Sequence, residues 1–153
     1  MTRTRCLPIL ILATVALVTS RADLAVAQTP MHPPSLYQRL GGYDALAAVT
    51  DDFLGRLLTD SLLKRFFVGH GTDSQKRIRQ LIVDQLCAVT GGPCIYVGRS
   101  MKDAHAGMGI TQGDWDATVR HLVATLTKFN VPQKEKDEVL AAISGLKGDI
   151  VER

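Results

Sequence analysis

Hydrophobic residues recur at spacings of three and four in four long stretches of the chain: Leu46, Val49, Phe53 and Leu57; Ile78, Leu81, Ile82, Leu86 and Val89; Trp115, Val119, Leu122, Val123 and Leu126; and Val139, Leu140, Ile143, Leu146 and Ile150. That period gathers each set on one side of an α-helix, so four amphipathic helices are predicted, each with a face to bury. Polar punctuation marks their ends. Asp73 or Ser74 can cap the second, Gly91 stops it, Thr111 and Asp114 can form a capping box before the third, and Pro132 suits the first turn of the fourth. Shorter helical pieces are expected at Leu36–Leu40, ahead of Gly41-Gly42, and around Leu62–Phe67. Strand-like alternation extends no further than Pro93 to Gly98, so the predicted fold class is all-α. Periodicity alone leaves the packing open between an up-and-down bundle and a sandwich of two helices on two.

The first residues do not share this pattern. Met1-Thr-Arg-Thr-Arg5 is basic, Cys6 to Ser20 is a run of apolar and small residues, and Ala25-Val26-Ala27 is a small-x-small site, which together read as a secretory signal peptide over 1–27. The alternative, an uncleaved anchor, is disfavoured by the short run and the well-formed cleavage site. From Gln28 to Pro34 the chain is proline-rich and aperiodic, a flexible leader in which His32 reads as a solvated residue. One domain is expected over 35–153.

Cleavage after Ala27 would remove Arg3, Arg5, Arg21 and Asp23, leaving 15 basic and 14 acidic residues. No basic stripe interleaved with aromatics remains, so nucleic-acid binding has no electrostatic footing, and no stable membrane association is expected. Export to the periplasm or beyond also changes how the cysteines read. Cys87 and Cys94 are left as an even pair in an oxidising compartment, where a disulfide is the default; two thiolate metal ligands would need a Cys-x-x-Cys spacing and a second pair.

Candidate chemistry centres on RSMKDAHAGMGIT, Arg99 to Thr111. Ser100 and Asp103 can cap a short helix that Gly107 ends, and Met101, Ala104, His105 and Met108 then share one face. His105 therefore points toward an apolar interior, where an unpartnered imidazole costs roughly 1–3 kcal/mol. Two readings compete: a core histidine satisfied by a distant carbonyl, and a metal ligand whose second nitrogen is held by an acceptor.

The segments SLYQRLGGYDAL from Ser35, the Phe66-Phe67 pair, Gly91-Gly-Pro with YVGRSMKDAHAGMGIT from Tyr96, and DWDATVRHLVATL from Asp114 resemble the truncated haemoglobins of the first group, over essentially Ser35 to Val151. The resemblance implies a two-on-two helical sandwich of the globin type and a noncovalently held haem b, with His105 as the proximal ligand to iron. It further implies that Phe67 stacks on the macrocycle, Phe53 closes the distal side, and Tyr96 and Arg99 lie near the propionates. Met101, Met108 and Ile110 would floor the slot. His70, between glycines, reads as solvated, and His121 as a structural or surface residue.

The chain departs from the family pattern on the distal side. Many members carry a tyrosine after the phenylalanine matching Phe53 and glutamines on the distal helix; here the matching residues are Leu54, Ile78 and Ile82, with Leu86 alongside. An apolar distal pocket denies bound dioxygen a hydrogen bond worth roughly 1.5–3 kcal/mol, so fast oxygen release and a shift toward less polar diatomics are expected. Gln85, Gln80 or Tyr43 could supply a donor instead. The leading function is reversible binding of oxygen, nitric oxide or carbon monoxide, with a reductase whose identity is not legible. Nitric oxide dioxygenation or a peroxidase-like reaction is the enzymatic alternative, and a haemless helical bundle is the third.

Overall fold

A computed structural model describes residues 33–153, so the signal peptide expected at 1–27 and most of the leader, His32 included, lie outside the described residues. Ser35 opens α1 (Leu36–Arg39) with a capping box to Gln38. Gly41 and Gly42, at φ +98° and +78°, then turn the chain into α2 (Gly42–Thr59), a left-handed pair that side chains with a Cβ adopt only at a cost. The carboxylate of Asp60 accepts the N–H groups of Leu62 and Leu63, shaping the turn into a 3-10 helix at Lys64–Phe67. There follow α3 (Thr72–Val89), α4 (Met101–His105), α5 (Gln112–Lys128), α6 (Gln133–Ser144) and α7 (Lys147–Ile150).

The long helices form two packed pairs, α2 with α3 and α5 with α6, and the pairs meet where α2 lies against α5. This is the two-on-two arrangement. Its main core joins Val49, Phe53 and Leu57 of α2 to Leu122 and Leu126 of α5 and Val139 of α6, with Leu63 closing one end. Leu46, Leu86 and Cys87 form a second buried cluster between α2 and α3. Arg39 clips α1 to α6 through Glu135 (3.0 Å) and Glu138. No helix among the described residues is long and apolar enough to cross a membrane.

Four expectations are corrected. The second helix starts earlier, at Thr72 after Gly71, so neither Asp73 nor Ser74 caps it; Asp73 instead sits in the first turn, where its charge suits the helix dipole. The fourth predicted helix is broken into α6 and α7: beyond Gly145 the Leu146 N–H turns back to the Ile143 carbonyl (2.9 Å), a tighter bond than the α-helical one. The alternation from Pro93 to Gly98 makes no strand. Cys94 lies beside Cys87 (Cα–Cα 5.7 Å) and Tyr96 folds over Gly98, which turns Ile95 and Val97 outward, 80% and 76% exposed. Finally, the buried stripe of α3 is Val83, Leu86 and Cys87, whereas Ile78, Leu81, Ile82 and Val89 are only half-buried.

Candidate functional site

That last difference matters for function. At helical spacing Ile78, Ile82, Gln85 and Val89 make a second stripe on α3, beside the one spent on α2, and none of the four is buried. The chain covers this mostly apolar stripe only in part. Leu86 belongs to the packed stripe, wedged against Leu46 and Cys87, with Ile82 at the edge of that cluster. On α2, Phe53 and Leu54 are both buried, at 9% and 7% exposure, and Phe53 is core between α2 and α5.

Phe67 ends the 3-10 helix half-buried, packed on the main core with Phe66. It also borders an open pocket of about 460 Å³ with Leu58, Ser61, Lys64, Arg65, Val68 and Gln75. Among the sequence-predicted site residues, Phe67 is the one that this pocket shares.

His105 ends α4, a single turn whose Ser100 cap accepts the Asp103 N–H. The expected apolar interior is not what surrounds it: Ala104 and Met108 are exposed, and Met101 and His105 only half-buried. Its partner is close in sequence, contrary to expectation. Nδ1 lies 2.7 Å from the Met101 carbonyl, one turn back. A carbonyl only accepts, so Nδ1 carries the proton and the Nε2 lone pair is left for another group. The next residues turn through Gly107 and Gly109 to Ile110, which is buried at 7%. α4 packs on α7, and neither α4 nor α3 packs closely on the other.

Tyr96 and Arg99 belong to the turn before α4. The Tyr96 hydroxyl donates to the Arg99 carbonyl (2.9 Å), burial pushes its phenol up, and a methyl group at Gly98 would fall 2.2 Å from its oxygen. Tyr96 therefore serves the turn, while the Arg99 side chain is exposed. His70 is exposed. His121 is structural: its Nε2 meets Asp60 at 2.7 Å and ties α5 to the end of α2.

Sequence reasoning missed two polar residues around this region, Arg65 and Glu152. Arg65, beside Phe67, reaches Asp114 at the head of α5, and Glu152 reaches the glycines after His105. Both contacts join residues far apart in sequence, so no local spacing announced them.

The donor set fits haem. Of the three histidines among the described residues, His105 is the one whose Nδ1 is bound to a carbonyl of its own helix, which leaves Nε2 as a single donor of the kind that ligates haem iron. The partly covered stripe of Ile78, Ile82 and Val89 on α3 suits the apolar face of a haem.

Comparison with known proteins agrees with this geometry. Residues 35–152 match the model of the bacterial-like globin family. A group 1 truncated hemoglobin of Mycolicibacterium paratuberculosis is 37% identical over 118 residues, which is 77% of this chain and 85% of that protein. One from Nostoc sp. is 34% identical over 119 residues, 78% of this chain and 98% of that protein. The crystal structure of truncated hemoglobin from Tetrahymena pyriformis in its Fe(III) form matches with a TM-score of 0.73 at 28% identity, covering 78% of this chain and all of that one. The 2/2 hemoglobin from Synechococcus sp., in the cyanomet state with covalently attached heme, matches with a TM-score of 0.71 at 32% identity, again over 78% and 100%. With a two-on-two helical frame, a match to the family model over residues 35–152 and relatives up to 37% identical, the chain belongs to the group 1 truncated hemoglobins.

Proposed function

We propose that Nε2 of His105 would hold the iron of haem b and that the chain binds a diatomic gas reversibly. The observation that carries this is the 2.7 Å bond from Nδ1 to the Met101 carbonyl, which fixes the tautomer and makes Nε2 the more basic donor. Haem supplies a ferrous iron able to take up oxygen, carbon monoxide or nitric oxide. The residues supply the pocket. Phe67 would stack on the ring, Leu54, Ile78 and Ile82 would line the gas side, and Met101 and Ile110 would support the proximal side, with Arg99 free to meet a propionate. Gln80 is no distal donor, since it is exposed and engaged with Tyr43 and Asp84 at 2.8 Å each. Nothing polar is supplied by Leu54, Ile78 or Ile82 to hold dioxygen or cleave a peroxide, so gas binding is favoured over dioxygenation or peroxidase chemistry.

The test is an absorption spectrum of the haem-reconstituted chain beside His105→Ala, in ferric, ferrous and carbon monoxide forms. Wild type should show a Soret band that shifts with redox state and ligand, and the variant should lose the five-coordinate ferrous histidine spectrum and recover it with added imidazole. Identical spectra would overturn the assignment. We propose further that the chain works outside the cytoplasm, which the signal-like segment at 1–27 and the adjacent Cys87 and Cys94 support.

A further inference from the structure

Gly107 and Gly109, the two glycines that follow His105, both hold left-handed backbone (φ +77° and +65°). Their N–H groups donate to the two oxygens of a single carboxylate, that of Glu152: 2.5 Å from Gly107 to Oε1 and 2.6 Å from Gly109 to Oε2. The main chain continues the contact. The N–H groups of Glu152 and Arg153 donate to the Ile110 carbonyl (2.9 and 3.3 Å), and the Gln112 N–H donates to the Arg153 carbonyl (3.2 Å). The guanidinium of Arg153 lies over Gly109, 3.8 Å from where a side chain there would begin. α7, just before this segment, packs on α4.

These contacts bear on His105 because α4 cannot hold its own direction. It has five residues, none of them buried, and so short a helix is unstable unless its ends are fixed from outside. Ser100 fixes one end. At the other, the side chain that hydrogen-bonds the backbone between His105 and Ile110 is that of Glu152, separated from Gly107 by 45 positions. Hydrogen bonds to a carboxylate are stronger than neutral ones, and here two converge on adjacent turns of the same segment.

We propose that Glu152 is a positioning residue for His105: by holding Gly107 and Gly109 it sets the direction in which the imidazole meets the iron, and so the strength of the iron–histidine bond. This rests on His105 being the haem ligand, as proposed above. Glu152 itself touches neither haem nor gas.

The experiment uses the full chain as wild type, Glu152→Ala, Glu152→Gln and His105→Ala. Backbone amide exchange is read in the haem-free protein, and the iron–histidine stretching band is read by resonance Raman in the ferrous reconstituted protein. In Glu152→Ala, exchange at Gly107 and Gly109 should quicken ten- to hundredfold while that at Gly41 is unchanged, and the iron–histidine band should shift or broaden. Glu152→Gln keeps an acceptor oxygen without the charge and should fall between; if the alanine variant does not fold, the glutamine variant decides alone by the same two readouts. Unchanged exchange overturns the proposal, and so does faster exchange with an unmoved band. If His105→Ala abolishes the band while Glu152→Ala leaves it in place, this inference fails by itself; if His105→Ala leaves the band intact, the haem assignment fails and takes this inference with it.

Discussion

Nη2 of Arg65 sits against both carboxylate oxygens of Asp114, at 2.7 and 2.8 Å, and so ties the 3-10 helix that carries Phe67 to the first turn of α5. Asp114 is 1% exposed and also accepts the N–H and hydroxyl of Thr111, at 2.9 and 2.7 Å. Burial pushes its carboxyl up, but the Thr111 donors and the Arg65 guanidinium outweigh that and hold it below the usual carboxylate range. One buried charge thus completes the capping box of α5 and joins that helix to the 3-10 helix that carries Phe67.

Asp114→Ala removes the carboxylate half of the capping box and the cross-link together, and should cost about 1–3 kcal/mol of stability. Arg65→Ala removes only one partner, and Arg65 is itself 46% exposed, so its loss should be smaller. Denaturant unfolding of the haem-free variants gives the order. A larger loss for Arg65→Ala than for Asp114→Ala would contradict this account.

Acid should unfold the domain through several aspartates at once. Asp52 is held low by Lys128, Arg56 and Thr125, Asp60 by His121 and the Leu62 and Leu63 amides, and Asp51 by Arg79, alongside Asp114. A folded-state pKa below the unfolded one adds stability above the ordinary aspartate value of 3.8, and that stability is lost as pH falls through the lower folded values. The melting temperature of the haem-free protein should therefore drop steeply below about pH 4. In Asp114→Asn that acid limb should be shallower, and a melting temperature that held steady down to pH 2 would count against these pairs.

On the gas side, Leu54→Tyr should introduce the donor that the pocket lacks. A hydrogen bond to a polarised ligand is worth roughly 1.5–3 kcal/mol, so oxygen release should slow by about tenfold to a hundredfold, with carbon monoxide much less affected. Gln85→Leu is the companion measurement, because Gln85 shares the stripe of Ile78 and Ile82. Stopped-flow or flash photolysis reads both; no slowing in Leu54→Tyr, or faster release in Gln85→Leu, would show that a donor already reaches the ligand.

A disulfide between Cys87 and Cys94, the pairing that an oxidising compartment would favour, would close a loop of eight residues, worth about 2.5 kcal/mol on a chain-entropy account. Cys87→Ser with Cys94→Ser, or reduction of the wild type, should lower stability by that order, and thiol titration of the purified oxidised protein should find neither cysteine free. Gly92→Ala should strain the same corner, since its methyl would fall 2.6 Å from both Cys87 Sγ and a ring carbon of Tyr37.

What the sequence determined by itself was local: the helical period of the four long stretches, the glycine stops, the Thr111–Asp114 box and the proximity of Cys87 to Cys94. These follow from interactions between residues a few positions apart, which spacing records. For His105 the residues alone left a core histidine and a metal ligand both open; its half-buried setting beside exposed Ala104 and Met108, and the 2.7 Å bond to the Met101 carbonyl, came from the folded chain. Tertiary structure decided the rest. Only the packing of α2 on α3 shows that Val83, Leu86 and Cys87 are spent on the core and that Ile78 and Ile82 are left half-bare beside them. Only the folded chain brings Arg65 to Asp114 across 49 positions and Glu152 to Gly107 across 45. Such polar pairs leave no periodic trace in sequence, because each charge needs a single partner whose position is set by how the helices cross rather than by the spacing along either one.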